Sequence, residues 1–154
     1  MLGEFLSCSQ KGDDRSPCNV FLGRAIKRVY GINDFQILGK PDTYLDANAI
    51  AAYLATNPKN WTPIGTASDQ KNLDEAQFQA NHGHAVVAVY SSPNHGHVCL
   101  VLPGSVQDSS TWQLRVPNSA SFRLDKPADS YVGGPLSKAF GNDKRDEVKL
   151  YVHD

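Results

Sequence analysis

Between Ser16 and Tyr30, apolar side chains return every three or four positions: Cys18, Phe21, Leu22, Ala25, Ile26 and Val29. That spacing predicts a helix with one buried face. Ser16 fits the N-cap, Pro17 the first helical position, and Gly31 the stop. Residues 1 to 15 read as an irregular lead-in. Asn33 to Thr43 holds an apolar fragment (Phe35, Ile37, Leu38) and the breaker Gly39-Lys40-Pro41. A second, alanine-rich helix is predicted from Leu45 or Asp46 to Ala55, with Ile50, Tyr53 and Leu54 inward, ended by Asn57-Pro58. Trp61 to Gly65 reads as a short strand. Thr66 to Ala80 is more polar and reads as a helix around Leu73, Ala76 and Phe78.

From Ala85 the pattern changes. Ala85 to Tyr90 and Val98 to Leu102 are continuous apolar runs rich in valine, as in strands buried on both faces, joined by a loop at Ser91 to His97. Thr111 to Val116 alternates Trp112, Leu114 and Val116 against Gln113 and Arg115, which predicts a third strand. Residues 120 to 135 read as loop and Leu136 to Phe140 as one helical turn. Glu147 to Val152 reads as a last strand, with Val148, Leu150 and Val152 on one face. Helices first and strands after predict an α+β fold, with helices packed on one face of a central antiparallel sheet.

The chain has 154 residues and a net charge of -1. That length suits one domain with a real core, and the charge supplies no long-range field for nucleic acid or anionic membrane. No apolar run approaches the roughly 20 residues of a membrane-spanning helix. Met1 to Leu6 lacks the charge and apolar length of a secretory signal, so action outside the cell would imply another export route or a start trimmed from a longer chain. The three cysteines, Cys8, Cys18 and Cys99, cannot form a fully paired framework and are expected to be reduced, although Cys8 with Cys18 is a conceivable pair.

Cys18 falls in the first turn of the predicted first helix, where unpaired N–H groups and the helix dipole favour thiolate. Selective, rapid alkylation of Cys18 at mildly acidic pH is the corresponding expectation. Four of the five histidines form a doublet, Asn81-His82-Gly83-His84 and Asn94-His95-Gly96-His97, each followed by an apolar strand. His97, Cys99 and Val101 share a strand face. If that face meets the Cys18 helix, His97 lies nearest the thiol and can serve as its base. Two other readings stand beside this one. The doublets could converge on zinc, although no carboxylate or cysteine with ligand spacing accompanies them. Alternatively they are polar residues at the base and tip of a hairpin, the expectation for His82, His84 and His95. His153 is expected to face solvent. Cys99, mid-strand, reads as a small buried hydrophobe.

The order of parts, a cysteine at a helix start and then Gly96-His97-Val98 opening a strand, resembles NlpC-type and CHAP-type papain-like amidases of bacterial cell-wall turnover. Pro17-Cys18-Asn19-Val20-Phe21 is similar to the CHAP nucleophile turn, and Gly96 to Gly104 to the family's histidine strand. The segments Asp46-Ala47-Asn48-Ala49-Ile50 and Trp61-Thr62 most resemble amidase effectors of type VI secretion. The chain departs from the common Asp-Cys-Ser-Gly or Asn-Cys-Ser-Gly nucleophile and has no counterpart of the upstream tyrosine of some NlpC members.

The resemblance implies a papain-like fold, no cofactor, and hydrolysis of an amide in the peptidoglycan stem peptide. It also implies secretion into the periplasm of target bacteria and a cognate immunity protein as partner. Cys18 is then the nucleophile, His97 the base, and a third polar residue orients the imidazole; Asn118, which follows the third strand and shares parity with Trp112, Leu114 and Val116, is the candidate, with Ser119 or a backbone carbonyl as substitutes. Asp13 and Asp14 would shape the groove. A protein deamidase or another papain-like hydrolase would share the dyad, and a non-enzymatic module with a histidine metal site remains the alternative without one.

Overall fold

A computed structural model describes residues 18–123 and 126–154. Helix α1 spans Cys18–Tyr30. Its end is built as the sequence predicts: Gly31 takes φ +74, and the N–H groups of Gly31 and Ile32 bond back to Lys27 O and Ile26 O at 3.0 and 3.4 Å. Ser16 and Pro17, its expected cap, lie outside the described residues. Cys18, Phe21, Leu22, Ala25 and Ile26 are buried, but Val29 is 64% exposed. The helix's last turn runs past the sheet, and Tyr30 and Ile32 pack there instead.

Helix α2, Ala47–Ala55, begins at Asp46, whose carboxylate accepts the Ala49 N–H at 2.8 Å. Helix α3, Gln70–Asn81, buries Leu73 and Ala76 as expected. Phe78 is instead 53% exposed and lies over the His82 ring, with centroids 4.0 Å apart.

Six strands form one antiparallel sheet in the order β1-β8-β2-β3-β6-β7. They are β1 (Trp61–Thr66), β2 (Val86–Tyr90), β3 (His97–Val101), β6 (Asn118–Ser121), β7 (Tyr131–Pro135) and β8 (Lys149–His153). A separate two-stranded ribbon pairs β4 (Gln107–Ser109) with β5 (Leu114–Val116). The expected strand from Thr111 is therefore shortened. Gln113 takes φ +56 in a turn that carries the fully buried Trp112. Residues 120 to 135, expected as loop, contain all of β7 and the end of β6.

The helices do not share one face. Val87, Val89, Val98, Leu100 and Tyr151 pack against α1 and α2 in one apolar cluster. The alternate residues Val86, Ala88, Cys99, Val101, Leu150 and Val152 pack in a second cluster with α3, Trp112 and Phe140. Strands buried on both sides carry no sequence signal for which face meets which helix. Cys99 and Val101 consequently face away from α1, opposite to the expectation, and His97, on the same strand face, lies against Phe140 of the second cluster while Val98 meets the helix.

α1 lies hard against the chain at Tyr44. A β-carbon on Gly23 would collide with the Tyr44 ring, whose side chain is buried. Gly23→Ala is expected to destabilise by about 1–3 kcal/mol through this overpacking. The gain in helix propensity, up to about 1 kcal/mol, is too small to offset it. Urea unfolding measures the difference; unchanged stability would mean that the ring can move aside.

Candidate functional site

Cys18 opens the described part of α1 and is only 8% exposed. Burial pushes its thiol above the ordinary value. The backbone N–H groups of Val98, Asn19 and Cys18 itself pull it back, while the Asp46 charge adds to the rise. Desolvation outweighs the helix terminus. Burial therefore opposes the thiolate that the helix terminus alone would favour.

The contact with Val98 fixes where the sulfur lies. Val98 faces α1, so the helix start meets β3 at the residue directly after His97. The two sequence motifs thus come to the same end of β3. The Asn19 side chain does not add a donor there, since its Nδ2 donates to Leu45 O at 2.9 Å and so ties α1 to the start of α2.

His97 is partly exposed and pairs across the hairpin with Tyr90. Its Nε2 hydrogen-bonds the Ser121 hydroxyl at 2.8 Å, and its ring meets Phe140 edge-on with centroids 5.4 Å apart. Proton exchange with a thiol would accordingly run through Nδ1. The loop before His97 is braced by Asn48, which donates to Ser92 O at 2.8 Å and accepts from Ser92 N–H at 3.2 Å and Ser91 Oγ at 3.1 Å. Gly96 is required at this crossing, because a β-carbon would strike the Asn48 amide.

Asn118 does not orient His97. Its backbone oxygen accepts from Leu102 N–H, just beyond the far end of β3, and its Nδ2 donates to Pro103 O at 2.9 Å. The expectation carries the parity of the strand ending at Val116 onward to Asn118. The chain instead turns at Pro117 between β5 and β6, and β6 then runs antiparallel to β3 toward His97. Ser121, at the end of β6, reaches the ring. The alternation of Ser119 and Ser121 with Ala120 and Phe122 was the available signal for that strand. Ser119 bonds Tyr131 Oη at 2.9 Å and Gly134 O at 3.0 Å instead. Asp13, Asp14 and Cys8 lie outside the described residues.

The remaining histidines separate from this site. β2 and β3 are antiparallel, so the two His-Gly-His doublets stand at opposite ends of the hairpin, about 17 Å apart for five-residue strands, and cannot share an ion. Among the described residues no three His, Cys, Asp or Glu side chains cluster to hold a metal. His82 and His95 are exposed, as expected for polar hairpin positions. His84 bonds His153 O at 3.2 Å and lines a groove of about 410 Å³ with Lys71, Glu75 and Asp154. That groove borders β1, three strands from β3, and no cysteine or serine lines it. His153, expected in solvent, has a side chain only 17% exposed, with Nε2 3.6 Å from Asp34 Oδ2, and packs on the Trp61 ring.

The chain matches no family model and no curated protein.

Proposed function

We propose that the protein is a papain-like cysteine amidase that cleaves an amide bond of the peptidoglycan stem peptide. It would act as a secreted antibacterial effector in the periplasm of target cells, countered by an immunity protein. The observation that carries the enzymatic part is the meeting of the Cys18 thiol with the backbone of Val98, the residue after His97. The substrate class rests on the resemblance of the Cys18, Asp46–Ile50 and His97 segments to cell-wall amidases.

In the first step the Cys18 S–H proton passes to His97 Nδ1 as sulfur attacks the amide carbonyl. A neutral resting thiol makes this transfer part of the attack, in place of a preformed ion pair. Backbone N–H groups at the start of α1 are suited to hold the oxyanion. The C–N bond then breaks, the imidazolium proton goes to the leaving nitrogen, and a thioester remains. Water, deprotonated by the same ring, releases the acyl group and restores the thiol. No cofactor enters this scheme.

Purified sacculi digested with wild type and with Cys18→Ala provide the test, read by mass analysis of the soluble fragments. New muropeptides carrying a free carboxylate and a free amine at one stem-peptide bond are expected from wild type alone. Intact sacculi in both digests would remove the cell-wall reading.

A further inference from the structure

We propose that Ser121 is a positioning residue that holds the His97 imidazole in its neutral, Nε2-protonated tautomer with Nδ1 turned to the thiol. The inference rests on the amidase reading, which selects the tautomer, while the Ser121–His97 hydrogen bond itself stands independently. Ser121 is completely buried, and its backbone is fixed in β6 between β3 and β7, in register with Tyr131. Its hydroxyl lies 2.8 Å from Nε2. The Phe140 ring closes on the same imidazole, so hydrogen bond and edge contact together fix its plane.

A hydroxyl differs from the carboxylate that often fills this position. It can accept the Nε2 proton but carries no charge to stabilise an imidazolium. A serine partner therefore suits a ring that accepts a proton from a thiol whose burial disfavours its ionisation. The alternative, Ser121 donating to Nε2, would place the ring proton on Nδ1 and prevent it from acting as a base. The hydroxyl therefore acts as the acceptor. Nothing in its residue type announces this role, since serine is common at buried strand ends.

Long-range nitrogen–proton NMR of wild type reports the His97 tautomer directly and needs no substrate. The Nε2–H pattern is expected at neutral pH, and an Nδ1–H pattern would overturn the proposal. Ser121→Ala is expected to mix the tautomers and lower kcat on muropeptides about 10- to 100-fold with KM unchanged, less than the ~10⁴-fold seen where a carboxylate orienter is lost. Ser121→Thr, which keeps the hydroxyl, should restore the Nε2–H pattern. An unchanged tautomer and kcat in Ser121→Ala would also overturn it. If wild type shows Nε2–H yet leaves sacculi intact, the amidase reading fails while the positioning stands.

Discussion

His97→Ala is expected to lower kcat/KM at pH 7 by about 10⁴-fold, with the gap from wild type narrowing by up to tenfold for each pH unit above neutrality. Burial holds the Cys18 thiol above its ordinary value, so at pH 7 almost no thiolate forms without a base. Deleting His97 removes that base. Raising the pH supplies thiolate by direct ionisation and recovers the attack step, but the leaving amine still lacks its acid, so the gap never closes. The same thiol should alkylate slowly with iodoacetamide at pH 6 and faster as the pH rises, contrary to the expectation from the helix start alone. Rapid, selective labelling of Cys18 at pH 6 would show that an ion pair exists at rest and would refute the neutral-thiol account.

A second large effect concerns stability at alkaline pH. Burial drives the Cys99 thiol, which is fully enclosed, and the Tyr131 phenol well above their ordinary values. The folded chain therefore retains these protons after the unfolded chain has lost them. Their contribution is fully present below the unfolded values, about 8.5 for cysteine and about 10 for tyrosine, and declines as pH rises toward the folded ones. Each such group removes about 1.4 kcal/mol per pH unit in that window. Cys18, Tyr30, Tyr44, Tyr53 and Tyr151 shift in the same direction. Urea midpoints should fall steeply between pH 9 and 11, and Cys99→Ala should flatten the first part of that fall despite lower stability at pH 7. Equal slopes for the two proteins would show that Cys99 ionises as freely in the fold as outside it.

What the sequence reveals tracks local signal strength. α1 is legible because its apolar period is regular and Gly31 ends it with a left-handed residue. β2 and β3 are legible as dense branched apolar runs, and β8 by the alternation of Val148, Leu150 and Val152. β6 and β7 are hidden, because Asn118-Ser119-Ala120-Ser121 and Tyr131-Val132-Gly133-Gly134-Pro135 consist largely of residues with weak strand preference. Only pairing of β6 to β3, and of β7 to β6, makes them strands, which is a tertiary effect. The site divides in the same way. Cys18 and His97 stand out by residue type and setting, whereas Ser121 is identified by register alone, and the parity count that selected Asn118 failed at the turn through Pro117.

Strand β8 follows every other strand in the sequence, yet it sits between β1 and β2. Before it inserts, β1 has no partner and the β2-β3-β6-β7 ribbon ends in an open edge. Pairings so distant along the chain are slow to form. Closure of the sheet thus waits for residues 149–153, the last strand to be synthesised, which joins β1 to the rest.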